Sequence, residues 1–345
     1  MLNYFGWSYA ATVFGLVLAA ILGWFYAGTL SGMFGFLMIA AILSVLEISL
    51  SFDNAIVNAN KLEQMTPVWQ RRFLTWGILI AVFGMRIVFP LLIVVVAAGI
   101  GPIHAIRLAT TEPAEYARII NGAHLPIAAF GGAFLMMVAL NYFLDENKDV
   151  DWIGWIERKL RRFGSLKNSE IGVVLVVIVG FSTALDTAER GDFLFAAIFG
   201  LVVFLAVDLL GSVLDRSDAA NTVAKGGLGA FLYLELLDAS FSFDGVIGAF
   251  ALTQNLFLIA IGLGIGAMYV RSMTIMLVER KTLSQFLYLE HGAFWSILVL
   301  SLIMFAQTLV HVPETITGLL GAGFIGFAFF SSLQHRKLEA AAGRG

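Results

Sequence analysis

The chain has 345 residues, of which 59% are hydrophobic and only 13% are charged, with a formal net charge of −3 and a mean hydropathy of +0.89. These values exclude an ordinary soluble domain and indicate a multispanning helical membrane protein. The sequence contains no cysteine. Disulfides and thiolate metal sites are therefore excluded, and any metal must be bound by oxygen or imidazole ligands.

Apolar runs of about 20 residues, long enough to cross a bilayer, follow one another along most of the chain. The first run lacks the basic flank and the small-residue cleavage pattern of a signal peptide, so we interpret it as a membrane span. We predict an all-α polytopic membrane protein with about ten transmembrane helices. The predicted spans are residues 8–27, 32–60, 73–98, 126–144, 170–187, 193–212, 227–253, 256–278, 288–310 and 315–333.

Lysine and arginine are distributed unevenly between the loops that join these spans. The loops after the even-numbered spans, together with the C-terminal tail, contain 16 of them, whereas the opposite loops contain three. Basic residues stay on the cytoplasmic side of a membrane. Both termini are therefore predicted to be cytoplasmic.

Two segments inside apolar runs have nearly the same sequence. Residues 47–54 read EISLSFDN, and 191 positions later residues 238–245 read DASFSFDG. Carboxylates within membrane spans are costly and mark substrate or ion pathways. In the predicted topology the two segments enter the bilayer from opposite faces, so the repeat is inverted, an arrangement that recurs in secondary transporters.

Further similarity extends the repeat to three helices in each half of the chain. Gly77 is followed nine residues later by Arg86, and Gly262 is followed nine residues later by Arg271. We predict an N-terminal half, 1–169, whose repeat occupies helices at 32–144. The C-terminal half, 170–345, is predicted to contain the second repeat in helices at 227–310.

The acids of the first motif cannot share one ion on a regular helix. Six residues separate Glu47 from Asp53, which is about 240° around the helix axis. The second predicted span also has roughly 29 residues, about 43 Å of helix, whereas the hydrocarbon core is about 30 Å thick. We therefore predict an unwound or bulged turn near residues 49–54 and, by symmetry, near residues 240–245.

Together the two motifs predict a midplane cation site with oxygen ligands, which suits Mg²⁺, Ca²⁺ or Mn²⁺. The alternative is that the acids pair with arginines and hold the helices together. The candidate metal ligands are Glu47, Asp53, Asn54, Glu235, Asp238 and Asp244. The candidate supporting or coupling residues are Ser51, Ser242, Arg86, Arg271, Glu290 and His291.

Other polar residues of the chain have several interpretations. Glu290 and His291, near the cytoplasmic end of the ninth span, either relay protons and bind metal transiently or have a capping role. The loop 145–169 is interpreted as a solvated connector with positive-inside charges, and a helix lying at the interface is the alternative. Asp186 and Asp208 are predicted to reach the membrane interface.

The first motif, its copy ending in Phe243-Asp244-Gly245 and the two downstream arginines resemble the TerC family of bacterial membrane proteins. The segment from Tyr288 to Ala293, YLEHGA, is similar to a longer branch of that family. TerC-like proteins are implicated in manganese export and tellurite resistance. The resemblance implies a bacterial inner (plasma) membrane location and metal binding by Glu47, Asp53, Asn54, Asp238 and Asp244.

The leading hypothesis is a Mn²⁺ exporter that works by alternating access. Proton exchange is the expected coupling, because carboxylate protonation competes with metal binding. The alternatives are a Ca²⁺ or Mg²⁺ transporter, a membrane-embedded metal-dependent enzyme acting on a lipid phosphate, and a scaffold for another transporter. No phosphate-binding glycine loop and no nucleophile with a base are recognisable, so we do not expect an enzyme. The expected partners are the metal ion and the lipid bilayer, with no nucleic acid, and the oligomeric state is not predicted.

Overall fold

A computed structural model describes residues 2–77, 79–146, 148, 150–166, 168–217, 227–310 and 312–342, and these residues contain helices and no strand. Two π-helical segments, Phe73–Gly77 and Ile80–Val88, precede the fifth α-helix. The α-helices are α1 (Leu2–Ala27), α2 (Leu30–Leu50), α3 (Phe52–Glu63), α4 (Pro67–Arg72), α5 (Phe89–Ala98), α6 (Pro102–Thr111), α7 (Pro113–Gly122), α8 (His124–Phe143), α9 (Gly154–Gly164), α10 (Ser169–Ala184), α11 (Arg190–Ser217), α12 (Leu228–Leu252), α13 (Leu256–Glu279), α14 (Thr282–Gln285), α15 (Leu289–Gln307) and α16 (Glu314–Ala342).

The chain is an all-α polytopic membrane protein, as predicted. Within the described ranges, seven helices are long and apolar enough to cross a membrane, and the number rises to nine if each of two bent helix pairs forms one span. The prediction of ten spans is therefore higher than this range. Helix α12 is not one of the seven, because it contains three acidic residues, Glu235, Asp238 and Asp244.

Packing divides the chain into two units, and each collects segments from distant parts of the sequence. Unit 1 contains Met1–Phe52, Met65–His124 and Leu234–Met276. Unit 2 contains Asp53–Gln64, Leu125–Tyr233 and Leu277–Gly345. Both units therefore draw on both halves of the sequence. The assignment of one repeat to each half, 1–169 and 170–345, stays a prediction.

In unit 1, helices α2 and α13 approach each other closely through glycine. A Cβ atom on Gly262 would lie 2.5 Å from Leu43 Cβ, and one on Gly266 would lie 2.4 Å from Glu47 Cβ. The two glycines and the two side chains share a four-residue spacing, so one row of residues fits the other. Ser44 Oγ also donates to the carbonyl oxygen of Gly262 at 3.0 Å. This contact fixes the side of α2 that carries Glu47.

In unit 2, helix α8 is buried on nearly all sides, as its uniformly apolar sequence requires. Helix α15 packs against it where Gly132 has no side chain, since a Cβ there would lie 3.2 Å from the carbonyl oxygen of Ser301. Helix α16 packs on α15 at Gly292, where a Cβ would lie 2.5 Å from Ala328 Cβ. These close contacts position α15, the helix that carries Glu290.

The first motif copy interrupts its helix, whereas the second does not. Helix α2 ends at Leu50 and α3 begins at Phe52, with Ser51 between them at φ −101° and ψ 19°. The predicted break near 49–54 is confirmed. The predicted break near 240–245 is wrong, because α12 is helical throughout. There Ser240 Oγ donates to the carbonyl oxygen of Leu236 at 2.9 Å, so its hydroxyl is satisfied without opening the helix.

Candidate functional site

Glu47 of α2 is buried and forms an ion pair within unit 1. Arg86 Nη2 donates to Glu47 Oε1, and Arg86 Nη1 donates to Ser242 Oγ. Ser51 Oγ donates to the same glutamate oxygen at 3.2 Å. The guanidinium group therefore links the first motif copy to the second. For Glu47, the alternative interpretation of the sequence, pairing with an arginine, describes this structure.

The other oxygen of Glu47 faces a glycine of the second motif. A Cβ atom on Gly245 would lie 3.0 Å from Glu47 Oε2. Gly245 occupies the position that Asn54 has in the first copy. The side chain of Glu47 is thus enclosed by α2, α12 and α13, and the absence of a side chain at position 245 leaves room for its carboxylate.

Glu235 of α12 has no comparable partner. It is only 7% exposed, and neither of its carboxylate oxygens has a hydrogen-bond partner among the residues that the structure describes. A Cβ atom on Gly77 would lie 2.7 Å from Glu235 Oε1. Asp238 is also buried and follows three residues later, on the same face of the helix. Because an unpaired buried carboxylate is costly, Glu235 requires a proton or a cation.

Arg271, the sequence counterpart of Arg86, has a different partner. Its Nη2 donates to the carbonyl oxygen of Leu74 at 2.6 Å. Leu74 belongs to the π-helical segment Phe73–Gly77, whose wider turns are frequent at functional sites. Within the described part of unit 1, Arg271 forms no ion pair. The two arginines are therefore equivalent in sequence but not in their contacts.

Asp53 and Asn54 lie in unit 2, at the start of α3, where the helix dipole favours negative charge. The backbone N–H of Asn54 donates to Asp53 Oδ1 at 2.8 Å, and Ser296 Oγ donates to Asp53 Oδ2 at 2.7 Å. A Cβ on Gly321 would lie 2.9 Å from Ser296 Oγ. Asn54 is buried, and its Oδ1 has no partner in the described ranges. Asp53 is thus bound by neutral donors.

Glu290 and His291, at the start of α15, also lie in unit 2. Asn60 Nδ2 of α3 donates to Glu290 Oε1. His291 is buried, and its Nδ1 is hydrogen-bonded to Glu157 of α9 at 2.9 Å. The sequence interpretation of His291 as a capping or coupling residue did not include this glutamate.

Glu157 is a buried acceptor of several hydrogen bonds, and the sequence interpretation did not identify it. Its carboxylate accepts hydrogen bonds from Lys148 Nζ at 2.7 Å, from His291 Nδ1 and from Trp295 Nε1 at 3.0 Å. Two backbone N–H groups just before α9 donate to it at 3.2 and 3.1 Å. Burial alone would raise the pKa of Glu157, but the bonds from His291, Lys148 and Trp295 lower it below its usual range. Glu157 is therefore an ionised acceptor.

The interpretation of residues 145–169 as a solvated connector is thus wrong at Glu157, which is completely buried. The burial of Glu157 could have been predicted from the spacing of the apolar residues around it. Glu157 lies between Ile153, four residues before it, and Leu160, three residues after it, and so falls on the apolar face of an amphipathic helix. An acid in that position needs a buried partner.

The structure distributes the predicted site residues over both units. Unit 1 contains Glu47, Ser51, Arg86, Glu235, Asp238, Ser242 and Arg271, and unit 2 contains Asp53, Asn54, Glu290 and His291. The side chain of Asp244 lies outside the described part of the structure, although its backbone belongs to α12. Among the described residues, no three His, Cys, Asp or Glu side chains converge in a way that holds a metal ion.

A family model described as a protein of unknown function (DUF475) matches residues 52–339. No curated protein and no solved structure matches the chain. The matched range contains both motif arginines and the whole second motif copy, and it begins five residues after Glu47.

Proposed function

We propose that this chain, a member of the DUF475 family of proteins of unknown function, is a transporter of divalent metal cations, with Mn²⁺ as its substrate. It is a multi-pass membrane protein with buried carboxylates inside its helices. Such residues mark ion pathways, because a buried charge needs a functional reason. The resemblance of the two acidic motifs to those of TerC-like manganese exporters supports Mn²⁺.

The observation that carries the proposal is the state of Glu235. This buried carboxylate has no hydrogen-bond partner for either oxygen within the described residues, and a second buried acid, Asp238, lies one turn away. A structural role would provide a donor for these oxygens. A cation that binds and leaves accounts for a buried glutamate that lacks a donor and lies one turn from a second acid. Oxygen ligands of this kind suit Mn²⁺, Ca²⁺ and Mg²⁺.

Glu47 has a related part in the proposed mechanism. In this structure Arg86 bridges Glu47 and Ser242. Its guanidinium group therefore compensates the negative charge of Glu47 and contacts the second motif copy. We assign Arg86 the role of a resident counter-ion, which holds the acid while no metal is bound there. Binding of a metal ion by Glu47 requires Arg86 to move away, so substrate and arginine exclude each other.

The proposed mechanism is alternating access, because the predicted inverted repeat of the two motif copies is typical of secondary transporters. In this mechanism Glu235 and Asp238 of unit 1 exchange protons for metal. The distribution of basic residues supports cytoplasmic termini. The resemblance to TerC-like proteins supports a bacterial inner membrane and Mn²⁺ efflux.

Flux of Mn²⁺ into proteoliposomes that contain the purified full-length chain tests this proposal. Glu235→Gln and Asp238→Asn should each lower the flux at least about tenfold, because each removes a charged ligand whose loss costs about 1.5–3 kcal/mol. Glu115→Gln, at an exposed acid paired with Arg118 on the surface, is the matched control and should leave the flux unchanged. Unaltered flux in both acidic variants would refute the proposal, and competition by Ca²⁺ in the same assay distinguishes a Ca²⁺ transporter.

A further inference from the structure

Unit 2 contains a cavity of about 600 Å³. It is lined mainly by three helical segments, and each contributes one face with residues at positions i, i+3, i+4 and i+7. The two middle residues of every face carry polar groups. These pairs are Asn60 and Lys61, Asn141 and Tyr142, and Glu290 and His291.

The charge of the lining favours a cation. Three carboxylates and two lysines line the cavity. The charge of Lys148 is balanced by Glu157, which lies behind the lining, and the ammonium group of Lys61 lies 5.4 Å from the centre of the Tyr233 ring. With Glu157 included, the four carboxylates and two lysines at the cavity have a formal charge of −2. Such a lining attracts cations and repels anions.

His291 is held in a position that leaves one ring nitrogen for a ligand. Glu157 is surrounded by donors and accepts the bond, so Nδ1 of His291 carries a proton. In the tautomer with its proton on Nδ1, the imidazole presents the lone pair of Nε2. The side chain is only 3% exposed, and Nε2 has no hydrogen-bond partner within the described residues. Tyr142 packs edge-on against the ring at 5.6 Å. A carboxylate that orients a histidine is the usual arrangement behind a metal-binding imidazole.

The cavity is large enough for a hydrated ion. A water molecule takes about 30 Å³, so six waters around a divalent cation need roughly 180 Å³. The remaining volume leaves space for one water of the hydrated ion to be replaced by Nε2 of His291. Glu290 and His291 are neighbours in the helix and point about 100° apart, so Glu290 contributes charge to the hydrated ion while His291 contributes a ligand.

We propose that this cavity binds a hydrated first-row transition-metal dication, with His291 Nε2 as its nitrogen ligand, Glu290 as its counter-charge and Glu157 as the positioning residue for the imidazole. The inference rests on the proposed transport function and adds a selection step to it. Imidazole binds transition ions, whereas Ca²⁺ and Mg²⁺ prefer oxygen ligands. The cavity thus discriminates Mn²⁺ from Ca²⁺, which the carboxylates inside the membrane do not.

Electron spin echo spectroscopy of Mn²⁺ bound to the purified full-length protein tests the nitrogen ligand directly. The wild-type protein should show a ¹⁴N coupling to Mn²⁺, and His291→Gln should abolish it while its amide still donates to Glu157. Glu157→Gln should weaken Mn²⁺ binding at this site about tenfold or more, as loss of an orienting carboxylate does, and should leave Ca²⁺ binding within about twofold. His104→Ala, at an exposed histidine of α6, is the control and should keep the coupling.

The outcomes separate this inference from the proposed function. Mn²⁺ flux that depends on Glu235, without a ¹⁴N coupling in the wild-type protein or with one that survives in His291→Gln, overturns the cavity site and leaves transport standing. A ¹⁴N coupling that persists in Glu235→Gln but disappears in His291→Gln supports the cavity as a second, independent site. If the wild-type protein binds no Mn²⁺, both proposals fail.

Discussion

Two buried glutamates of unit 1, Glu47 and Glu235, have different electrostatic environments. Glu47 of the first copy is enclosed, and Arg86 and Ser51 donate to it. Glu235, just ahead of the second copy, is equally buried but has no donor among the described residues. Burial of a glutamate therefore does not by itself determine its partners. The paired acid stabilises the fold of this conformation, while the unpaired acid is the one available to a ligand.

The largest expected effect concerns the two arginines. Arg86→Ala leaves Glu47 charged, buried and unpaired, which should lower the free energy of unfolding by about 3–5 kcal/mol. Arg271→Ala removes a hydrogen bond to a backbone carbonyl and should cost about 1 kcal/mol. Denaturation in detergent followed by tryptophan fluorescence measures both. Equal losses of unfolding free energy in the two variants would contradict the inference that Arg86, and not Arg271, compensates a buried charge.

A third buried acid, Glu157 in unit 2, extends the comparison, because a lysine pairs with it as Arg86 pairs with Glu47. Glu157→Gln should cost about 3 kcal/mol at neutral pH. Hydrogen bonds from His291, Lys148 and Trp295 outweigh burial and hold the pKa of Glu157 below its ordinary value of 4.5. Its contribution to stability is therefore complete above pH 4.5 and is lost progressively as the pH falls below that value.

Unfolding measured from pH 7 to pH 3.5 checks this sign. The difference in stability between the wild-type protein and Glu157→Gln should shrink as the solution becomes more acidic. A difference that stays constant over this range would show that the stabilisation does not come from the ionised carboxylate.

Substitution of Glu47 and Glu235 by glutamine tests directly whether the two buried glutamates differ in their contribution to stability. Glu47→Gln weakens the bond from Arg86 and should destabilise the protein by about 2 kcal/mol. Glu235→Gln removes a charge that has no donor, so stability should stay the same or rise slightly, although transport is lost. Thermal unfolding and Mn²⁺ flux, measured on the same samples, give both results. A destabilised Glu235→Gln variant would indicate a structural partner for that acid.

The smallest expected effect comes from glycine. Gly77→Ala would bring a Cβ to 2.7 Å from Glu235 Oε1, the mobile end of a side chain, so the cost in stability should be about 1 kcal/mol or less. Displacement of the carboxylate should still reduce Mn²⁺ flux several-fold. Gly35→Ala is the matched control, because nothing lies within 4 Å of its Cβ position. Equal flux in the two variants would argue against a ligand role for Glu235.

The fold class was predictable from the sequence, because apolar runs of about 20 residues predict membrane-spanning helices. The interruption at Ser51 was also predictable, since a regular helix would have been too long and would have pointed Glu47 and Asp53 apart. The continuity of α12 was not, because symmetry between the motif copies suggested a second break. A single internal hydrogen bond of Ser240 satisfies the polar group there without one.

The partners of the candidate residues were harder to predict, because they depend on contacts between distant parts of the chain. Glu157 and His291 are 134 positions apart in sequence and 2.9 Å apart in the structure. Asn60 reaches Glu290 from another helix in the same way. Periodicity identifies the face on which such a side chain lies, but not the residue that meets it.

The π-wound backbone before α5 has a mechanical consequence. Gly77, which faces Glu235, and Arg86, which neutralises Glu47, are carried by its two segments, Phe73–Gly77 and Ile80–Val88. Helical winding sets the angular direction of each residue that follows it. A local change from π-helical to α-helical winding in this stretch would rotate Gly77 and Arg86 together. The charge compensation of Glu47 and the space around Glu235 would then change in the same conformational step.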